Sequence, residues 1–510
     1  MTGPTYRDLI VRGAHGHRER IALTAGTRTM TFGDVDELSS RLANTLLSLG
    51  VPPRARVGLL LNNSLLSVPV DFACVKANLN RVPLNARLSL DEHTRMLVEA
   101  RVRVLLYGAD QRDRAIALAE SVPELHAIPL EPGPPGEMAL TTAAAGASSE
   151  LPDVDVRPSD VVLTLFTSGT TGTLKAAQHT QASYAAICRN VLLNLMPARS
   201  DDAMLHAASL IHASGVFVLP CWLRGARTVI MPAFEPAEFL RLLEAESITA
   251  INLVPTMLQM LLQQPGVADR DFSALRYVIY GASPIPQPVL ARALEVFGRE
   301  RFFQYYGQTE CPLCITVLRP EDHVGERLRS CGKPCADVEL KLIDANGDQA
   351  RGREGEIAVR APSMMAGYFD APELDAEMRL PGGWLRTRDL GVLDDDGFLY
   401  LLDRTSDMIV TGGYNVYPRE VEDVLLTHPA VRECAVIGVA DETWVEAVAA
   451  VVVAGADVSE AELIAFCRDK LASYKKPQRI LFETALPKTA VGKISRKTLR
   501  DRYREAAPVQ

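Results

Sequence analysis

Leu165-Phe166-Thr167-Ser168-Gly169-Thr170-Thr171-Gly172-Thr173-Leu174-Lys175 packs five hydroxyls, two glycines and a lysine into nine residues counted from Thr167. It follows directly on the apolar run 161–166, which reads as a buried strand. What comes after that strand reads as a phosphate loop. Glycines let backbone N–H groups turn inward on an anion, hydroxyls add donors, and lysine supplies charge. It is not the P-loop of mononucleotide kinases and GTPases, whose lysine directly follows the second glycine; Lys175 comes three residues after Gly172. Taken alone, the stretch is either a phosphate-binding turn of unspecified use or a flexible Ser/Thr/Gly turn.

Working outward, short β-branched or apolar runs at 161–166, 248–254, 277–280 and 302–306 alternate with helical spacing at 236–245, 256–263 and 287–297. Strand and helix in alternation predict a mostly parallel α/β sheet. The earlier runs 32–49, 57–61, 71–78 and 102–107 repeat the rhythm and predict a second α/β layer. Between the two, 130–152 is rich in Pro, Gly, Ala and Ser and reads as a surface connection. After Gly332 the texture shifts to short strands at 338–343, 355–360 and 390–402, with tight turns such as Asp395-Asp396-Gly397, the pattern of a hairpin or small barrel. The last hundred residues read as a small α+β unit, with strands at 434–439 and 448–453 and a helix at 460–471 opened by a capping box from Ser459 to Glu462.

A chain of 510 residues exceeds what one core accommodates, and two or three domains are expected. Hydrophobic content of 47% and charged content of 23% are those of an ordinary globular protein. Fifty-four basic against 63 acidic residues leave a net charge of −9, which argues against a nonspecific nucleic-acid or anionic-membrane binder. The first twenty residues lack the apolar core of a secretory signal, and no apolar run reaches the ~20 residues of a membrane span, so a cytoplasmic protein is expected. Nine cysteines, an odd number, read as reduced thiols. Cys311/Cys314 and Cys331/Cys335 come close to structural zinc spacing.

The loop resembles the phosphate-binding signature of the adenylate-forming superfamily of acyl-CoA synthetases, carrier-protein adenylation domains and luciferases. Two positions depart: the family usually has proline before the lysine and glycine after it, where this chain has Leu174 and Ala176. Further signatures follow in the family's order. Gln304-Tyr305-Tyr306-Gly307-Gln308-Thr309-Glu310 resembles Y-G-x-T-E, which implies that Tyr306 stacks on adenine, Thr309 meets the α-phosphate and Glu310 binds Mg²⁺. Gly281-Ala282-Ser283 resembles the short turn beside adenine and the acyl group. Ser209-Leu210-Ile211-His212-Ala213-Ser214-Gly215 resembles the P-L-F-H-x-x-G element, whose histidine lies at the mouth of the acid pocket. Trp384-Leu385-Arg386-Thr387-Arg388-Asp389 resembles W-x-x-T-x-D, which makes Asp389 the acceptor of both ribose hydroxyls. An ionised carboxylate suits a vicinal diol because it offers two oxygens and charge-assisted bonds.

Asp403-Arg404 and Asp407-Met408-Ile409 resemble the linker to the small domain, with Arg404 near the ribose or phosphate. The hinge residue, usually Asp or Lys, is Ser406. Gly412-Gly413-Tyr414-Asn415-Val416-Tyr417-Pro418 resembles the glycine loop that lines the pantetheine tunnel. Pro487-Lys488-Thr489-Ala490-Val491-Gly492-Lys493-Ile494-Ser495-Arg496 resembles the loop of the catalytic lysine, which makes Lys493 that residue. Both cysteine pairs then fall inside motifs with another use, next to Glu310 and around Gly332-Lys333-Pro334, and zinc drops out.

The resemblance covers nearly the whole chain. It implies an α/β fold with a large N-terminal domain, 1–403, of two stacked sheet layers plus a barrel-like part, and a small mobile α+β domain, 404–510. It implies an ATP-, Mg²⁺- and coenzyme A-dependent acid–thiol ligase with catalytic Lys493, Thr309, Glu310 and His212. Thr167, Ser168, Gly169, Thr170, Thr171, Gly172, Lys175, Gly281, Ala282, Ser283, Tyr306, Gly307, Asp389 and Arg404 are expected around the nucleotide. His212, Ala213, Gly215, Thr256, Gly281, Tyr305 and Leu313 are expected around a hydrophobic or aromatic acid, and Gly412, Gly413 and Tyr414 around coenzyme A. The runner-up is a free-standing ligase loading a carrier protein. Amino-acid adenylation lacks its F-D-x-S aspartate at Ile211-His212-Ala213-Ser214, and a non-enzymatic acyl or nucleotide sensor would predict degraded lysine and aspartate motifs, which are intact. A monomer or homodimer is expected.

Overall fold

The apolar run before the phosphate loop forms the strand Val161–Ser168 and returns antiparallel as Leu174–Thr180, with Thr167 opposite Lys175. The strands on either side of the Gly/Ser/Thr-rich motif therefore pair with each other, whereas a P-loop leads from strand into helix. The computed structural model describes residues 3–134, 138–168, 174–211, 213–404, 407–411, 414–441, 445–468, 470–489 and 493–503. Gly169, Thr170, Thr171, Gly172, His212, Ser406, Gly412 and Gly413 lie outside the described residues, as do the side chains of Thr167, Ser168 and Ala213.

Two large sheets carry the N-terminal part. One has seven strands in the order Gly367–Tyr368, Leu174–Thr180, Val161–Ser168, Asn80–Pro83, Arg56–Leu60, Val104–Tyr107, His126–Pro129. The other has nine, and its middle, Phe302–Gln308, Tyr277–Gly281, Ala250–Leu253, Ala203–His206, Arg227–Ile230, is parallel throughout. Antiparallel strands close its edges, Cys311–Leu318 and Lys333–Pro334 on one side and Arg28–Thr31 on the other. Helices Pro236–Ala245 and Gln287–Phe297 match their sequence spans end for end. In the first, proline opens the helix where its missing N–H is harmless, and the Glu235 carboxylate accepts from the N–H groups of Ala237 and Glu238. Phe239, Leu240 and Leu243 form its buried stripe.

The partition between layers differs from the sequence expectation. The strand Val161–Ser168, grouped with the later layer, pairs in parallel with Asn80–Pro83 through Arg81 and Leu163 and belongs to the earlier one. Conversely, Ile21–Ala25 pairs with Arg227–Ile230 and joins the later sheet. The two layers are thus interleaved in sequence. Local periodicity identifies a strand but carries nothing about which of two sheets will pair with it. The stretch 130–152 is also more than a connection: it contains the helix Leu140–Ala144, whose Leu140 and Ala144 pack in a buried cluster with Leu42 and Leu46. Five residues are too few for a helical period to show.

A continuous apolar core joins the layers, running from Val162 and Ala177 of one sheet to Ile279 and Ile315 of the other. Trp222 sits within it and donates its indole N–H to the carbonyl of Ile10 at 2.7 Å. A β-carbon at Gly13 would lie 2.1 Å from that indole, so the helix Tyr6–His15 docks only because residue 13 has none. Among the described residues, no helix is long and apolar enough to cross a membrane.

The barrel-like part is an antiparallel five-stranded sheet built on Glu339–Ile343, Glu354–Arg360 and Trp384–Leu393, with Leu399–Arg404 hairpinned onto the last. The C-terminal unit is a further five-stranded sheet. Its centre is the hairpin Val431–Asp441 and Val445–Ala454, covered by helices Pro418–Leu425, Glu460–Arg468 and Arg496–Tyr503. Of the Ser459 capping box, the half in which the hydroxyl accepts from Glu462 N–H is present at 3.2 Å.

Candidate active site

Thr309 and Glu310 occupy the tight turn between Phe302–Gln308 and Cys311–Leu318, where the register slips between Tyr306 and Gln308. The turn is folded back so closely that a β-carbon at Gly307 would stand 2.0 Å from the carbonyl oxygen of Leu313, which itself takes a φ of +56°. Glycine at 307 is thereby required by space. The fold-back buries Glu310 and aims Tyr306 toward the five-stranded sheet, where its phenol donates to Asp389 Oδ2 at 2.6 Å.

Asp389 is oriented from several sides. Its N–H donates to Thr387 Oγ1 at 3.1 Å, that hydroxyl donates to the carbonyl of Ile357 at 2.8 Å, and Arg404 Nε lies 3.5 Å from Oδ1. Burial raises its pKa, while Arg404, the Tyr306 hydrogen bond and Lys493 oppose the rise. The Asp389–Arg404 cross-strand register and the Lys493 field thus bring two of the expected nucleotide residues and the expected catalytic lysine to one point. Lys493 retains solvent contact along its side chain. Even so, the protein crowded about its ammonium lowers its pKa, Arg404 adds to the lowering, and Asp389 opposes it.

On the other flank, burial lowers the pKa of Lys175, helped by Arg388 and opposed by Glu310, so lysine and carboxylate share one electrostatic environment. The exit strand of the phosphate loop is tied to the turn through His179, whose Nε2 donates to the carbonyl of Thr309 at 2.8 Å. Burial depresses that imidazole to about 4, and it stays neutral at physiological pH.

The residues expected around the acid divide. Tyr305 and Leu313 are buried, and a β-carbon at Gly281 would stand 2.4 Å from Tyr305 O and about 3 Å from its ring. Ala282 adopts a φ of +67° in the turn that follows. Gly215 is equally constrained, 1.8 Å from the Leu210 carbonyl at the β-carbon position. Thr256, by contrast, is exposed on the first turn of Pro255–Leu262. Two polar residues were not singled out by sequence. Asn252 donates to the carbonyl of Ile279 at 3.5 Å, and its amide opposes the burial that pushes the Tyr305 phenol up to about 12. His206 Nδ1 lies 2.9 Å from Ser214 Oγ, and burial depresses its imidazole to about 4. Neither lies in a motif, and only sheet register reveals that Asn252 and Tyr305 stand on strands flanking Tyr277–Gly281.

The C-terminal unit is held by a buried charge cluster around Arg496. Its guanidinium grips the Glu422 carboxylate at 2.7 and 2.8 Å and stands 3.5 Å from Asp407 and 4.0 Å from Asp403. Arg500 adds a contact to Asp407 at 2.9 Å. Asp403 also accepts from the N–H groups of Arg404 and Arg419. The Tyr417 phenol donates to Glu354, and Arg329 meets Asp423 at 3.5 Å. Tyr414, expected at the coenzyme A tunnel, is exposed and stacked on Tyr474 at 4.7 Å. The four cysteines of the two pairs are buried thiols within the main core, next to the Glu310 turn and its edge strands.

Paired strands on either side of a Gly/Ser/Thr-rich segment, a buried carboxylate on a tight turn, a second carboxylate bonded to a tyrosine and a lysine close to it make a site suited to a nucleotide together with a second substrate. The chain belongs to the AMP-binding enzyme family: the family profile matches residues 10–369, and that of the AMP-binding enzyme C-terminal domain matches residues 420–493. It is 36% identical over 528 residues to a medium/long-chain-fatty-acid–CoA ligase of Mycobacterium tuberculosis, covering 99% of this chain and 92% of that one. It is also 36% identical to a feruloyl-CoA synthase of an Amycolatopsis species, covering 97% and 98%. Among solved structures, the amide bond synthetase McbA of Marinactinospora thermotolerans superposes with a TM-score of 0.89 at 30% identity, over 98% of this chain and 100% of that one.

Proposed function

We propose that this protein joins a carboxylic acid to ATP as an acyl adenylate, releasing pyrophosphate, and then transfers the acyl group to coenzyme A. The convergence of Tyr306, Asp389, Glu310, Lys175 and Lys493 on one site carries the proposal. In adenylation two anions must meet and a third must leave, a problem of electrostatics and positioning. Asp389 receives the ribose hydroxyls, and Tyr306, already bonded to Asp389, bounds the nucleoside. Lys493 offsets the repulsion between carboxylate and α-phosphate. Lys175 and the Thr167–Gly172 loop take the remaining phosphates, with Thr309 beside them.

Glu310 offers a buried hard-oxygen donor within the electrostatic reach of Lys175, which suits Mg²⁺. A divalent cation there would supply charge neutralisation for the phosphates. For the acid, we take Gly215, Gly281, Tyr305 and Leu313, together with His212 and Ala213 on the strength of the motif alone, as a largely apolar set with one phenol. That composition and the fatty and aromatic acids named for the relatives support a hydrophobic or aromatic substrate. We take residues 404–510 as the unit that turns about Ser406, withdraws Lys493 and presents Gly412, Gly413 and Tyr414 to coenzyme A. A cytoplasmic monomer or homodimer fits this reading.

The test is pyrophosphate release across a panel of fatty and aromatic acids, with and without coenzyme A. Acid-dependent release with thioester formed only when coenzyme A is present is expected. Release without thioester would redirect the second step to a carrier protein, and no release with any acid would overturn the proposal.

A further inference from the structure

The turn that presents Glu310 does not hold its side chain unaided. A carboxylate on a tight turn has several rotamers open to it, and a metal ligand acts well only when an outer partner fixes one of them. That partner comes from far along the chain. Gly367–Tyr368 forms a two-residue strand added to the edge of the seven-stranded sheet, pairing with the phosphate loop's exit strand through Gly367 with Gln178 and Tyr368 with Ala177. Flanking bonds extend the pairing, from Ala366 N–H to Gln178 O and from Phe369 N–H to Ala176 O, both at 2.8 Å.

From this strand the Tyr368 hydroxyl donates to Glu310 Oε1 at 2.5 Å, and Met365 N–H donates to the Glu310 carbonyl at 2.8 Å. The approach is built in. A β-carbon at Gly367 would lie 2.3 Å from Asp375, whose other carboxylate oxygen accepts from Tyr368 N–H at 2.9 Å. Tyr368 is 5% exposed, so its hydroxyl meets the Glu310 carboxylate out of reach of bulk water.

We propose that Tyr368 is the positioning residue for the metal-facing carboxylate. Its hydroxyl occupies Oε1 of Glu310 and leaves the other oxygen for the divalent cation that accompanies ATP, while residues 365–369 tie that ligand to the strand Leu174–Thr180. The inference rests on the assignment of Glu310 as the metal ligand under the proposed function. A phenol that merely filled core space would be replaced by phenylalanine at little cost.

The test uses the full chain with Tyr368→Phe, Glu310→Gln and the double variant. Calorimetric titration with ATP, in Mg²⁺ and in EDTA, measures how much the metal tightens nucleotide binding. Tyr368→Phe is expected to reduce that gain by about tenfold or more, the usual effect of losing an outer partner of a metal ligand. Affinity in EDTA is expected to stay within about twofold of wild type. Half-maximal acid-dependent pyrophosphate release should require about tenfold more Mg²⁺, with saturating Mg²⁺ restoring the rate. In the Glu310→Gln background, Tyr368→Phe should change nothing further.

An unchanged Mg²⁺ gain in Tyr368→Phe, alongside a lost gain in Glu310→Gln, would overturn this inference and leave the assignment of Glu310 standing. An unchanged gain in both variants would remove that assignment itself. An equal loss of ATP affinity in Mg²⁺ and in EDTA would make Tyr368 a packing residue. Should Tyr368→Phe fail to fold, Asp375→Ala loosens the Tyr368 backbone while keeping the phenol, and the same outcomes apply to it.

Discussion

Replacing Arg496 by methionine should disable adenylation without touching any residue that meets a substrate. The side chain is about the right length for the space but carries no charge, so Glu422, Asp407 and Asp403 lose the cation they share. Removing one partner of a buried ion pair leaves uncompensated charge and costs about 3–5 kcal/mol. Lys493 stands three residues before Arg496 and depends on this anchorage.

The loss should vary with pH. Burial raises Asp403 from its ordinary 3.8 to about 6, even with Arg496 pulling it down. Between those values the folded form binds more protons than the unfolded, so this group's contribution to stability falls as pH rises through that window and levels off above it. The penalty at neutral pH is roughly 3 kcal/mol. Without Arg496 the folded pKa moves higher still, extending the window upward. Arg496→Met should therefore show its largest deficit against wild type near pH 8 and recover part of it toward pH 6. Thermal melts at four pH values between 6 and 8, with pyrophosphate release at each, check this. A deficit identical at both ends, or adenylation at the wild-type rate, would refute the reasoning.

Lys493→Ala should lower acid-dependent pyrophosphate release by about 10²–10³-fold, as expected for losing a preorganised charge, while sparing transfer from supplied acyl adenylate to coenzyme A. Equal loss of both half-reactions would tell against a role confined to adenylation. Asp389→Asn removes the charge proposed to meet the ribose, which also receives the Tyr306 phenol; ATP affinity should fall about tenfold or more by calorimetry, with the melting temperature of the free protein nearly unchanged. Gly281→Ala drives a methyl against the Tyr305 carbonyl and ring, which should cost about 1–3 kcal/mol of stability in a denaturant titration and narrow the range of acids accepted.

Much of the candidate site could be proposed from the chain because its chemistry is local. A phosphate loop, a carboxylate turn or a glycine-lysine loop is a run of neighbouring residues whose types serve one purpose, and the helices Pro236–Ala245 and Gln287–Phe297 announce themselves by period and by proline. What was not legible depends on partners distant in sequence. Tyr368 reaches Glu310 across 58 positions, Arg496 reaches Glu422 across 74, and Tyr306 reaches Asp389 across 83. No spacing rule links such pairs.

The amino-acid sequence by itself determined which residue types are available for adenylate chemistry, in what order, and on which kind of local element, since side-chain period and turn chemistry are short-range properties. Only the tertiary structure decided that Val161–Ser168 pairs with Asn80–Pro83, and that Gly367–Tyr368 pairs with the strand leaving the phosphate loop. It also decided that Arg496 gathers the three carboxylates of Asp403, Asp407 and Glu422. Sheet pairing and buried charge compensation are settled by which surfaces must leave water together, and that is a property of the whole fold.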